Sequence, residues 1–141
     1  MTTSAVLGSG ATLQLGSGAS PQVYTTIAEV LRCGPIGSTN PEVDVTNLDS
    51  TAKEYIAGLA DGNTVEFTMN WVAGNAQQQS LRSSQAAGST VNLKMTWPNS
   101  PQTTAKFDLV LLNFEMGETT PEAQITAQAS GRISGSIVWT N

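Results

Sequence analysis

The chain has 141 residues, which is enough for one domain with a real core but too short for two full-sized domains. Charged residues make up only 12% and the net charge is -5, so the composition argues against a protein that grips nucleic acid phosphates through many basic contacts. The single cysteine excludes an intrachain disulfide, and no apolar run approaches the ~20 residues of a membrane-spanning helix. We expect one domain over residues 1–141, without a secretory signal, because Met1–Gly10 lacks a basic stretch followed by an apolar run.

Glycine and proline divide the first part of the chain. Two glycine-rich repeats, Leu7–Ala11 and Leu15–Ala19, flank a short predicted strand. Residues Val23–Cys33 are rich in β-branched side chains, which predicts one extended strand. From residue 34 to 62, frequent glycine and proline without a sustained period predict a long loop, with at most a short strand or a turn of helix around Ser50–Ile56. A loop of that length in a compact domain is usually functional or disordered.

Two alternating strands flank the one predicted helix. Apolar and polar residues alternate over Val65–Trp71 and again over Val91–Trp97, as expected of half-buried strands. Between them, Asn75 is a candidate N-cap with Gln78 three residues later, and Gly88 closes a run of good helix formers. The apolar face of this helix is thin, with Leu81 as its main anchor.

The last part of the chain is again β-rich. Residues Ala105–Met116 are apolar on both faces, which predicts a strand that is central in a sheet or pairs with another subunit. Gln124–Gln128 and Ile133–Trp139 are predicted to be two closing strands. The fold class is therefore mostly β, a sandwich or barrel with one flanking helix.

The residues of ordinary catalytic sites are largely absent. The chain has no histidine, which removes the commonest general base and the commonest metal ligand. Cys33 lacks a histidine partner, so we interpret it as a small packing residue. Trp71, Trp97 and Trp139 fall on the apolar side of alternating strands and are expected in the core. We predict no catalytic residue, no metal site and no cofactor.

One stretch points to a family. The segment Glu42–Ser50, followed by Ala52–Gly62 and then a strand, resembles the signature stretch of the lambda-like siphophage tail tube proteins. The earlier segment Tyr24–Val30 is similar to the strand that precedes this stretch in the family, and the match continues in order along nearly the whole chain. The resemblance implies a β-sandwich flanked by a helix, six copies of which join their sheets into a ring with a joint inner β-barrel.

The resemblance also implies a function and partners. Stacked hexameric rings would form a hollow tail tube, the conduit for genome ejection, and the protein would not be an enzyme. The expected partners are other copies of the chain, with the tape measure, tail tip and tail terminator proteins. DNA would pass through the lumen without specific binding, and no membrane is involved. The protein would be made in the host cytoplasm and end in the virion.

Two sets of residues are candidates for contacts in such a tube. The first is a set of apolar side chains on the long loop that a monomer cannot obviously bury, so we predict that residues 35–62 contact the next ring through Val43, Val45, Leu48, Tyr55, Ile56 and Leu59. The second consists of the polar faces of the two clearest strands, predicted to line the lumen: Glu66, Thr68, Asn70, Asn92, Lys94 and Thr96.

Other functions remain open at this point. A carbohydrate-binding or adhesive β-sandwich module would use exposed aromatic side chains, and a hydrolase would need a carboxylate pair such as Glu66 and Asp108 on facing strands, about 5 to 10 Å apart. A tube protein of a contractile or secretion-type injection machine is the nearest structural alternative.

Overall fold

The computed structural model describes residues 8–18 and 21–141. Leu7 and Ala19, which belong to the two predicted glycine-rich repeats, lie outside the described residues. The described part contains the following elements in chain order: β1 Thr12–Gly16, β2 Tyr24–Thr26, β3 Val30–Gly34, β4 Ser38–Thr39, β5 Glu42–Asp44, β6 Tyr55–Ala57, β7 Asp61–Gly62, β8 Thr64–Asn70, α1 Ala76–Ala87, β9 Thr90–Thr96, β10 Thr104–Met116 and β11 Thr126–Thr140. The mostly-β class with one flanking helix is confirmed.

Seven strands form one antiparallel sheet in the order β2-β1-β9-β10-β11-β8-β3. The strands at its two ends, β2 and β3, are consecutive in the chain and are joined by only three residues, 27–29. The sheet must therefore curl until its two edges approach each other. Within the described residues β2 and β3 do not pair with each other, so the curled sheet is open and is not a closed barrel.

The prediction of one strand over Val23–Cys33 is wrong, because the chain turns at Ala28 and Glu29, where Glu29 has a φ of 51°. The buried side chain of Ile27 anchors this turn in the core. The Ile27 N–H donates to the Leu13 carbonyl at 2.9 Å, and the Asn70 N–H donates to the Glu29 carbonyl at 3.0 Å. The turn thus passes from the β1 side of the sheet to the β8 side.

The alternation predicted in the two clearest strands is confirmed. Val65, Phe67 and Met69 on β8 are fully buried on the concave side of the sheet. Alternate residues of β1, β9, β10 and β11 meet them there: Leu13, Leu15, Val91, Leu93, Met95, Ala105, Phe107, Leu109, Leu111, Ala127, Ala129 and Ile133. Because burying one large apolar side chain contributes about 1.5–3 kcal/mol, this core is the main source of stability.

The helix begins and ends as predicted, but one of its polar residues has a different role. The Asn75 side chain caps the helix by accepting from the Gln78 N–H at 3.0 Å, and Gly88 ends it with a φ of 71°. The Gln78 side chain does not complete a capping box. It is fully buried, accepts from the Val72 N–H at 2.8 Å and donates to the Ala28 and Asn70 carbonyls at 2.9 Å. Gln78 therefore ties the helix to the turn between the two sheet edges, beside the predicted anchor Leu81.

The prediction of two closing strands is wrong, because β11 is one strand of 15 residues. A side chain at Gly131 would overlap the Val110 carbonyl, so glycine is required for close pairing there. Gly135 adopts a φ of 81° near a shift in the register with β10. The glycines bend the strand without ending it. As predicted, β10 is central, yet Leu112 on it stays 63% exposed.

Residues 35–62, which we call the arm, form more structure than a loop. β4 pairs with β7 at the base, and β5 pairs with β6 further out, so the arm is a two-tier hairpin. The base is fixed to the sheet where the Arg132 guanidinium bonds both carboxylate oxygens of Asp61 at 2.7 Å. The expectation of at most one short strand is wrong, because pairing within the arm satisfies its backbone groups without a sheet beside it.

Candidate assembly surfaces

The apolar side chains predicted on the arm are all exposed. Leu48 is 104% and Leu59 is 91% exposed, and the other four range from 39% at Val45 to 55% at Ile56. Exposed apolar groups in such density mark a contact surface more often than a solvated one. These six side chains are exposed, as the prediction assumed. Their contact with a neighbouring ring stays a prediction.

Hydrogen bonds give the outer part of the arm a defined shape. The Asp44 carboxylate accepts from the Thr46 N–H at 2.9 Å, and the Thr46 hydroxyl accepts from the Glu54 N–H at 2.8 Å. Hydrogen bonds to Asp44 from the Thr46 side chain, and then from its N–H, hold the pKa of Asp44 below its usual value. The Ser50 hydroxyl in turn donates to Glu54 at 2.8 Å. The exposed apolar side chains therefore stand on an ordered scaffold.

The predicted lumen residues lie on the convex face of the sheet, opposite the core, in two rows that do not come together. One row lies on β8 and the other on β9, and β10 and β11 separate them in the sheet. Since the sheet curls until its ends approach each other, strands three positions apart face different directions. Both rows therefore line one channel only if β10 and β11 between them face it as well.

The β8 row has uncharged neighbours on β11. Its members pair with residues of that strand as Glu66 with Ser130, Thr68 with Gln128, and Asn70 with Thr126. Glu66 is exposed and the other two are half-buried. On its other side the row has β3, where the exposed Arg32 pairs with Thr68. This part of the convex face therefore presents short polar side chains, one carboxylate and one guanidinium.

The β9 row belongs to a charged cluster with residues that sequence reasoning missed. The Tyr24 hydroxyl donates to the Asn92 side chain, whose amide donates to Asp108 at 2.7 Å. The ammonium groups of Lys94 and Lys106 lie 5.5 and 5.6 Å from the centre of the Tyr24 ring. Burial, and then the charge of Asp108, raise the pKa of Tyr24. Alternation places Lys106 and Asp108 on one face, but their pairing with β9 depends on a register that only the structure gives.

The two ends of the sheet form a further candidate surface. Within the described residues β2 pairs only with β1, and β3 pairs only with β8, so each has an open edge. The apolar side chains of Val23 and Leu31 beside these edges are 62% and 53% exposed. Open edges with apolar side chains readily pair with another chain. The sequence interpretation missed this surface because it merged β2 and β3 into one strand.

The tryptophans divide into two environments. Trp71 packs edge-on against Phe114 with ring centres 6.0 Å apart, and Trp97 packs against the core as well. The prediction is wrong for Trp139, which stacks on Trp97 but is 53% exposed because β11 extends beyond the end of the core. Cys33 packs against the core, which confirms its interpretation as a packing residue, and burial raises the pKa of its thiol to about 11.

The two carboxylates named for a hydrolase are separated in the sheet. Glu66 and Asp108 do not lie on adjacent strands, because β11 separates β8 from β10. Among residues 8–18 and 21–141, no three candidate ligands come close enough to share a metal ion. In the same ranges, no helix has the length and apolar character needed to cross a bilayer.

Solved structures with the same fold come from tails and injection systems. The SPP1 tail tube has a TM-score of 0.73 at 12% identity, covering 96% of this chain and 78% of that one. A chain in the virion of a native gene transfer agent has a TM-score of 0.72 at 14% identity, covering 97% and 100%. A chain in the baseplate of the anti-feeding prophage, in a 6-fold symmetrised structure, has a TM-score of 0.73 at 12% identity, covering 99% and 97%. These likenesses show the fold.

A comparison with curated protein sequences gave no significant match. In contrast, the family model of the lambda phage tail tube protein matches residues 9–138, which is nearly the whole chain. The match includes the curled sheet, the helix and the arm. The chain belongs to the lambda phage tail tube protein family.

Proposed function

We propose that this tail tube protein is a non-enzymatic subunit that polymerises as stacked hexameric rings, which together form the conduit for genome ejection. The observation that carries the proposal is the arm, an ordered hairpin whose six predicted contact side chains are 39% to 104% exposed in the single chain. A side chain such as Leu48 gains free energy on leaving water only if a second molecule covers it. The chain is thus one tube-forming domain over residues 1–141.

The sixfold state is supported by the structures that share this fold. A gene transfer agent tail was described with C6 symmetry, and the anti-feeding prophage baseplate with 6-fold symmetry. Six curled sheets, each with two open edges, can join edge to edge and close a ring, which removes the unpaired backbone groups of every edge. We propose that the joint inner β-barrel of the ring forms in this way.

We propose that the next ring contacts the arm through the six exposed side chains Val43, Val45, Leu48, Tyr55, Ile56 and Leu59. The test is electron microscopy of the purified protein and of a Leu48→Ser, Leu59→Ser double variant. The unaltered chain should form long hollow tubes, and the double variant should stay folded but form no long tubes. Thr51→Ser on the same arm is the matched control and should behave like the unaltered chain. Tubes of normal length from the double variant would contradict this role of the arm.

For the lumen we keep the β8 row, Glu66, Thr68 and Asn70. The β9 row carries Lys94 beside Lys106, and ammonium groups repeated around each ring would bind DNA phosphates. The β8 row offers neutral polar groups and the Glu66 carboxylate, which repels DNA within about 8 Å of the wall at cellular salt, and it has one cation beside it, Arg32 on β3, where the β9 row has two lysines. DNA would then slide through without specific binding.

Glu66→Lys tests the lumen assignment. Tubes should assemble normally, but DNA release from purified virions after receptor addition should slow or stall, because a ring of ammonium groups would hold the phosphates. Glu42→Lys, an equal charge change at an exposed position outside the row, is the control for charge alone. Normal ejection through intact Glu66→Lys tails would remove the assignment.

Other partners follow from a tube inside a virion. We propose that the tape measure protein occupies the lumen during assembly, and that tail tip and tail terminator proteins contact the first and last rings. The subunit would be made in the host cytoplasm, where its free Cys33 suits a reducing environment.

A further inference from the structure

We propose that Lys94 and Lys106 of one subunit receive the acidic segment 115–122 of a second copy stacked head to tail. This contact rests on the proposed function, since it describes how consecutive subunits along a tube attract each other. It adds to the arm contact a second, electrostatic one.

The basic side of the contact is built into the sheet. Lys94 and Lys106 are direct cross-strand partners, and both ammonium groups lie over the Tyr24 ring. Within the described residues neither forms an ion pair, and the nearby Asp108 carboxylate accepts a hydrogen bond from Asn92. Two like charges side by side repel each other, so an added carboxylate would be attracted to both. Val138, which pairs with Lys106, adds an apolar side chain that is 57% exposed.

The acidic side is the segment that ends β10 and leads towards β11. Glu115, Glu118 and Glu122 lie within eight residues, without a lysine or arginine among them, and all three are exposed. In the part of the chain that the structure describes, the one ion pair is Arg132 with Asp61, so these carboxylates are uncompensated. Exposed apolar side chains flank the segment, with Met116 45% and Ile125 51% exposed. Both surfaces therefore combine charge with apolar area.

The two surfaces lie at opposite ends of the long strand β10. Lys106 is near its start and Glu115 near its end, nine residues apart, which corresponds to roughly 30 Å along a strand. They cannot meet within one molecule. Complementary surfaces at opposite ends of one molecule form a head-to-tail contact, and repetition of that contact gives an open filament.

The acidic residues of the arm of a second copy are the alternative binding partner for Lys94 and Lys106. The arm leaves β8 at Thr64, and the other end of β8, Asn70, pairs with Thr126 beside the acidic segment. The arm and the acidic segment therefore lie at opposite ends of β8. Lys106 pairs with Val138, beyond Arg132 at the base of the arm, so the lysines lie in the arm half of the subunit. In a head-to-tail stack that half faces the acidic segment of the next copy.

Charge reversal tests this contact. Lys94→Glu with Lys106→Glu should raise the protein concentration at which half of the chain sediments as tubes by about tenfold or more, and Glu118→Lys with Glu122→Lys should do the same. Combining the four changes should restore assembly to near that of the unaltered chain. Lys53→Glu on the arm is the matched control and should leave the concentration unchanged. Thermal unfolding of each monomer checks that it folds, and Lys94→Gln with Lys106→Gln replaces the reversal if it does not.

The outcomes separate this contact from the proposed function. If the unaltered chain forms no tubes, the proposed function fails. If it forms tubes and both reversals assemble like it, the function stands and the electrostatic contact is overturned. If charge reversal at the lysines is rescued by Asp49→Lys with Glu54→Lys on the arm, and not by changes in the segment 115–122, the lysines contact the arm of the next copy and the proposed partner segment is wrong.

Discussion

The curled sheet and the arm are both built from paired strands, yet the sheet buries most of its large apolar side chains and the arm exposes most of its own. Phe67 and Phe107 in the sheet are 0% and 2% exposed, whereas Leu48 and Leu59 on the arm are 91% or more exposed. The sheet can use its apolar residues because curling creates an inside. A two-tier hairpin has no inside, so its apolar residues remain available to a partner. The difference indicates which part of the chain stabilises the subunit and which part is kept for assembly.

The largest expected effect comes from the sheet. Phe67→Ala should lower the free energy of unfolding of the monomer by about 3–5 kcal/mol, because it leaves a cavity in a fully packed core. Leu59→Ala on the arm should change it by less than about 0.5 kcal/mol, because that side chain contacts mainly water in the monomer. Chemical denaturation of both variants measures the contrast. Equal losses would mean that the arm also supports the fold of the subunit.

A smaller loss in the free energy of unfolding is expected at the site where the helix is tied to the turn between the two sheet edges. Gln78→Ala leaves the Val72 N–H and the Ala28 and Asn70 carbonyls without their partner in a buried site, which should cost about 2–4 kcal/mol in all. Gln77→Ala removes the same type of side chain from a less buried position and serves as the control. Thermal unfolding of the two variants compares them. A Gln78→Ala variant as stable as Gln77→Ala would show that the sheet keeps its curl without this tie.

Assembly should reduce the difference in hydrogen-exchange rate between the sheet and the arm. In the free subunit we expect the amides of the arm, such as those of Val45 and Gly58, to exchange hydrogen much faster than those of β8 and β10. In the tube the arm amides should be slowed by about tenfold or more, while the sheet amides change little. Hydrogen exchange measured on monomer and tube decides this. Equal protection of the arm in both states would contradict a docking role.

The smallest effect is a pH dependence within the arm. Hydrogen bonds from Thr46 lower the pKa of Asp44 in the folded chain, so they stabilise the arm above the unfolded pKa of an aspartate, and this stabilisation is lost as the pH falls through the lowered value. Asp44→Asn should abolish the dependence. The chemical shift of the Thr46 amide proton, followed over an acid titration, measures it. A shift that is the same in the Asp44→Asn variant would assign the effect to another group.

Local sequence patterns predicted the buried faces of two strands and both ends of the helix. Alternation in Val65–Trp71 and Val91–Trp97 gave two buried strand faces correctly, and the Asn75 cap and Gly88 gave the helix ends. These features depend on neighbours a few residues apart, so the sequence contains them directly. The family resemblance rested mainly on residues 42–62, which lie in the arm, with support from Tyr24–Val30, and the family match confirmed it.

Long-range geometry decided the rest. Val23–Cys33 reads as one strand because its residues all favour extension, and only the burial of Ile27 between β1 and β8 explains the turn at Glu29. The two polar rows seemed to form one surface because each alternates correctly, but the strand order separates them. The cluster of Lys94, Lys106 and Tyr24 depends on register across four strands, β2, β1, β9 and β10. The sequence by itself determined which side of each strand is apolar; the tertiary structure decided which sides meet, because curvature and strand order arise from contacts between residues far apart in the chain.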